Sequence, residues 1–168
     1  CVPRNDLTGN KEPIVERSVD SMKKIVKTAG AYRCTYCVEV VNRYEGCILN
    51  TAAEAMDYIK RVDADNIGVL LDTYHMNIEE DSFRDAILTA GDKLLGLHTG
   101  DNNRRCPGRG HIDFDEIFKA LAEVNFKGRI VSELFVAKGG EVGRDIYVWR
   151  NLEKDLSEAA LDAEARHL

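Results

Sequence analysis

Gly68-Val-Leu-Leu-Asp72 is a short apolar run that ends on a carboxylate, and helical patterns flank it on both sides. A strand that is apolar throughout, rather than alternating, suits a parallel sheet buried under helices. Upstream, Ala52, Ala55, Met56, Ile59 and Val62 recur at helical spacing. Thr51 followed by Glu54 marks the start of that helix, because hydroxyl and carboxylate can each satisfy an orphan amide of the first turn. Downstream, Phe83, Ala86, Ile87 and Ala90 repeat the spacing, with Gly91 as the stop.

The same alternation extends in both directions. Val15, Val19, Met22, Val26 and Ala29 line one helical face, which Gly30 ends, and Thr35 to Val41 reads as a β-branched strand. Leu94 to His98 is a third strand. Asp113 with Glu116 opens a helix through Ile117, Leu121 and Val124, and Arg129 to Phe135 is a fourth strand. Four βα units in series predict parallel strands covered by helices. No fixed short repeat supports a solenoid. A doubly wound sheet stays open on pattern alone, although no strand is followed by a Gly-rich phosphate fingerprint.

Composition narrows the function classes. The chain has 168 residues, 44% of them hydrophobic, enough to bury a core as one domain over residues 1–168. Net charge is −6 and no Lys/Arg cluster occurs, which argues against a nucleic-acid partner. No apolar run approaches the roughly 20 residues of a membrane span, and no signal-peptide pattern opens the chain. Five cysteines at irregular spacing predict reduced thiols and a cytoplasmic protein. The chain opens on Cys1 and a polar stretch, residues 1–13, which reads as an opening inside a larger protein. Residues 151–168 read as a C-terminal helical segment cut short.

What ends each strand points to chemistry. Glu39 lies in the first, Asp72 ends the second, His98 ends the third, and Glu133 lies near the end of the fourth. The separations are 33 (39 to 72), 26 (72 to 98) and 35 (98 to 133), about one βα unit each. Any one of these acids alone reads as an ordinary solvated loop residue. Four successive strands placing a metal-capable group at the same end predict convergence at a barrel mouth. Three oxygens and one nitrogen suit Mn²⁺, Mg²⁺ or Co²⁺ rather than thiolate-bound zinc. A charged group inside an apolar strand needs a partner, and Glu39 is such a group.

Val38-Glu-Val-Val-Asn-Arg-Tyr-Glu45, Asp72-Thr-Tyr-His-Met-Asn-Ile-Glu-Glu80, His98-Thr-Gly-Asp-Asn-Asn-Arg104 and Val148-Trp-Arg150 resemble the D-tagatose/D-psicose 3-epimerase family in order and spacing. The resemblance runs from about Pro13 to the end and corresponds to the later part of a family member. It implies the C-terminal half of a (β/α)₈ TIM barrel of the xylose isomerase-like kind. It implies a divalent metal, Mn²⁺ foremost, on Glu39, Asp72, His98 and Glu133, with a ketose touched by Glu45, His75 and Arg104. Glu39 and Glu133 match the pair that moves the C3 proton through a cis-enediolate. A homodimer or homotetramer of the full-length protein is implied on the same ground. The chain departs from the family's usual pattern at Asp101, where Glu is usual, and at Leu134, where Pro is usual. The first departure shortens a side chain expected near the sugar, and the second bears on the loop after the last strand.

Other groups read more plainly. Cys34-Thr-Tyr-Cys37 is a lone pair without a second, and structural cysteines are the simpler reading. His111 and His167 read as solvated, Asp63 and Asp65 as turn residues, and Trp149 as a core residue. Two alternatives stand beside the epimerase. One is an aldose–ketose or hydroxypyruvate isomerase with related metal chemistry. The other is an inactive fragment whose two sheet edges lack partners.

Overall fold

A computed structural model describes residues 10–166, so residues 1–9 and 167–168 lie outside it, and with them the reading of His167. The chain order is α1 (Glu12–Ala31), β1 (Tyr36–Glu39), α2 (Ala52–Val62), β2 (Ile67–Asp72), α3 (Thr73–Glu79), α4 (Phe83–Ala90), β3 (Leu94–Thr99), α5 (Phe114–Glu123), β4 (Arg129–Ser132), α6 (Gly140–Asp145) and α7 (Glu158–Ala165). The four strands form one parallel sheet in sequential order, each beside the one before it. Half of an eight-stranded βα barrel requires this topology.

The helical faces bury as their spacing predicts. Val15, Val19, Val26 and Ala29 of α1, Ala55, Ile59 and Val62 of α2, and Ile117, Ala120 and Leu121 of α5 join one apolar cluster with Val69, Leu71 and Leu97 of the sheet. Thr51 caps α2 by accepting the Glu54 amide, and Glu54 Oε2 accepts the Asn50 amide at 2.7 Å. Asp113 accepts the Glu116 amide and caps α5 in the same way. Asp63 closes α2 in the left-handed region, confirming a turn there.

Pairing register decides which side chains share a face. Glu39 pairs Leu70, Asp72 pairs His98, and His98 pairs Val131. Side chains alternate along a strand, so residues two apart point the same way. Leu70 and Asp72 are two apart, as are Val131 and Glu133. Glu39, Asp72, His98 and Glu133 therefore fall on one face, at the carboxyl ends of their strands.

Several details differ from the expectations. β1 and β4 are shorter than the runs read from sequence, although Val40 and Glu133 still donate amides to Leu70 and Thr99. The seven-residue α3 follows β2 without a loop, and α6 carries two glycines; neither shows an apolar period. The polar tail becomes helical only at Glu158, after Ser157 accepts the Ala160 amide. Trp149 is 69% exposed and pairs with Tyr147 at 6.1 Å, so the core role expected of it is wrong. No described element packs over that segment to bury it. His111 is exposed, as expected of a loop histidine.

Candidate metal centre

Four strand ends supply one ring of donors. One ligand atom from each of Glu39, Asp72, His98 and Glu133 lies within 4.8 Å of all the others, the only such group among the described residues. His98 Nδ1 is 3.3 Å from Glu39, 3.9 Å from Asp72 and 3.7 Å from Glu133. It is buried and makes no hydrogen bond. An orphaned imidazole nitrogen aimed at three carboxylates costs free energy unless a further group joins them. Ligands across a hard cation, each at roughly 2.0–2.6 Å, stand about 4–5 Å apart. The ring has that size, and its donor set suits Mn²⁺, Mg²⁺ or Co²⁺. Cys34 and Cys37 take no part in it.

Each acid is held by something specific. Asp72 is fully buried; one oxygen caps α3 by accepting the Tyr74 and His75 amides, and the other faces the ring. The residue after the strand is thus also the first residue of a helix, which is how β2 can end in a ligand and a fixed turn at once. Burial foremost pushes the Asp72 carboxyl up to about 7, against the pull of Arg104. Burial and then the charge of Glu133 raise the Glu39 carboxyl.

Glu45, His75 and Arg104 stand beside the ring. Arg104 Nη1 donates to Asp72 at 3.2 Å and Glu133 at 3.1 Å, and its Nη2 is 3.1 Å from His75 Nε2 and 3.6 Å from Glu45. The guanidinium lies 3.9 Å over the Tyr74 ring. Burial, then the Arg104 charge, lowers the His75 pKa to about 3, so the ring is neutral. Its Nδ1 faces the Asn42 amide at 3.1 Å and its Nε2 faces Arg104, so donors point at both nitrogens of a ring that must keep a proton on one of them. An oxygen acceptor beside Nε2 and the guanidinium would relieve that conflict by taking both as donors.

Residues 3–163 match the family described as xylose isomerase-like TIM barrel. This chain belongs to that family. Among its relatives, the D-psicose 3-epimerase of Ruminiclostridium cellulolyticum is 50% identical over 151 residues, covering 90% of this chain and 52% of that protein. The D-psicose 3-epimerase of Agrobacterium fabrum is 46% identical over the same shares. A crystal structure of D-psicose 3-epimerase with D-tagatose from Clostridium cellulolyticum H10 superposes with a TM-score of 0.93 at 47% identity, covering 98% of this chain and 57% of that one. The chain spans about half the length of these relatives. In a TIM barrel the carboxyl ends of the strands form the working mouth, and the ring lies there.

Sequence reasoning missed two residues at this barrel mouth, Asn42 and Tyr74. Asn42 is buried and joins the His75 and Glu45 side chains through its amide nitrogen, at 2.8 and 3.1 Å. Tyr74 underlies Arg104. Asp101, expected near a sugar, instead turns its carboxylate into its own loop, where three backbone amides occupy it. Of the two missed residues, only Asn42 carried a sequence signal, as a polar residue between a strand end and Glu45.

Proposed function

We propose that the full-length protein containing this chain epimerises free ketoses of the D-tagatose/D-psicose type at C3. The observation that carries the reading is the ring itself, with glutamates on its two outer strands and an aspartate and a histidine between them. The activity named for relatives at 46–50% identity supports the substrate class.

Glu39, Asp72, His98 and Glu133 would hold a divalent cation, Mn²⁺ by preference, which when bound supplies Lewis-acid polarisation of the ketose oxygens. Inversion at one carbon needs a base on one face and an acid on the other. Glu39 and Glu133 approach from opposite edges of the sheet. One, ionised, takes the C3 proton and leaves a cis-enediolate; the other, protonated, gives a proton to the opposite face. The two carboxyls thereby exchange protonation states. The His75 Nε2–H and the Arg104 guanidinium hold a ketose oxygen, and Glu45 accepts from a hydroxyl.

Incubating the full-length protein and Mn²⁺ with D-psicose, and resolving the products, tests the reading. D-Fructose, the C3 epimer, is expected; an aldose product would favour the isomerase alternative. His75→Ala should weaken turnover or sugar binding while bound Mn²⁺ stays near stoichiometric. Loss of the metal from that variant would show that His75 is a ligand.

A further inference from the structure

Among the described residues, Asp72 and Asp101 are the two acids with no exposure at all. Asp72 belongs to the ring; Asp101 does not. Its Oδ1 accepts the amides of Asn102 at 2.9 Å and Ile112 at 3.2 Å, and its Oδ2 accepts that of Gly110 at 2.7 Å. Its backbone accepts the Arg104 amide at 2.8 Å and donates to the Arg105 carbonyl at 2.9 Å. A buried carboxylate that takes several amides ties together the chain segments that donate them. Here these are the start and the end of one loop.

Arg104 rides on that loop with φ of 62°, a left-handed conformation that its neighbours must enforce. The far end of the loop comes unusually near. A Cβ on Gly110 would lie 2.2 Å from Asp101 Oδ1 and 2.0 Å from Asn102 Oδ1, so only glycine fits. The geometry points to Asp101 as a positioning residue for the reaction. By clasping the loop against Gly110, it sets the Arg104 guanidinium against Asp72, Glu133 and His75. This inference rests on the epimerase reading, and it gives the chain's aspartate a role through the loop rather than through the sugar.

The test uses the full-length, Mn²⁺-loaded protein with D-psicose as probe. Asp101→Asn turns one acceptor oxygen into a donor facing an amide. It should lower kcat/KM roughly 10²-fold, the scale of a misplaced catalytic contact, without loss of Mn²⁺. In an Arg104→Lys background the same change should cost no more than about 3-fold, because residues acting through one another are not additive. Asp101→Glu keeps both acceptors and should retain more activity than Asp101→Asn. A full loss repeated in the Arg104→Lys background, or wild-type kcat/KM in Asp101→Asn, overturns the inference.

If Asp101→Asn fails to fold, Gly110→Ala opens the same clasp from its other end and should show the same signature. Wild-type kcat/KM in Gly110→Ala would equally overturn the role. If the wild-type protein leaves D-psicose unchanged, the epimerase reading fails by itself. The clasp is then judged by hydrogen exchange. The Asn102, Gly110 and Ile112 amides should exchange slowly in the wild type and faster in Asp101→Asn, and equal rates would refute it.

Discussion

Glu39→Gln and Glu133→Gln, made singly in the full-length Mn²⁺-loaded protein, should each lower turnover by roughly 10²–10⁴-fold, the usual worth of general acid–base catalysis. Glutamine keeps the size of the side chain and one carbonyl oxygen, but cannot take or give the proton. Epimerisation passes through both faces of C3, so the loss of either partner stops the reaction in both directions. The sheet order places Glu39 and Glu133 on its two outermost strands, with Asp72 and His98 between them. Steady-state assays on D-psicose and D-fructose check this. Near-wild-type turnover in either variant would remove that glutamate from the chemistry.

His98→Ala should have the second large effect, on the metal. His98 supplies the single nitrogen of the ring, and its Nδ1 is a buried polar atom that no protein group satisfies. Removing it leaves three carboxylates facing one another, with Arg104 as their nearest positive charge. Mn²⁺ affinity, measured by calorimetry or by the spectrum of free Mn²⁺, should fall by more than the roughly 10–100-fold seen when only an outer-shell partner is lost. Stoichiometric binding at wild-type affinity would mean that the ring is not the metal site.

Much of this was legible before any coordinates. Apolar runs at Gly68 to Asp72 and Leu94 to His98, separated by helical periods, dictate parallel strands. A recurrent strand-end ligand is a pattern that one-dimensional spacing preserves, so Glu39, Asp72, His98 and Glu133 could be read from it. The details that failed depend on groups that spacing does not record. α3 offers no apolar period to read, and its start is set instead by the Asp72 cap. Trp149 read as a core residue, yet burial depends on what packs over it. Asp101 resembled a sugar contact by position, whereas backbone amides eleven residues downstream or fewer decide where its carboxylate goes. Asn42 lay in the quoted motif, but its grip on His75 spans 33 residues of chain.

The most direct test of the account is to run the full-length protein, supplied with Mn²⁺, in deuterated water on D-psicose and locate the label in the product. Proton removal by one glutamate and return by the other leads to D-fructose carrying deuterium at C3, because the returning carboxyl equilibrates with solvent. D-Fructose formed without deuterium at C3 would contradict the two-glutamate mechanism and point to a hydride or shielded transfer instead.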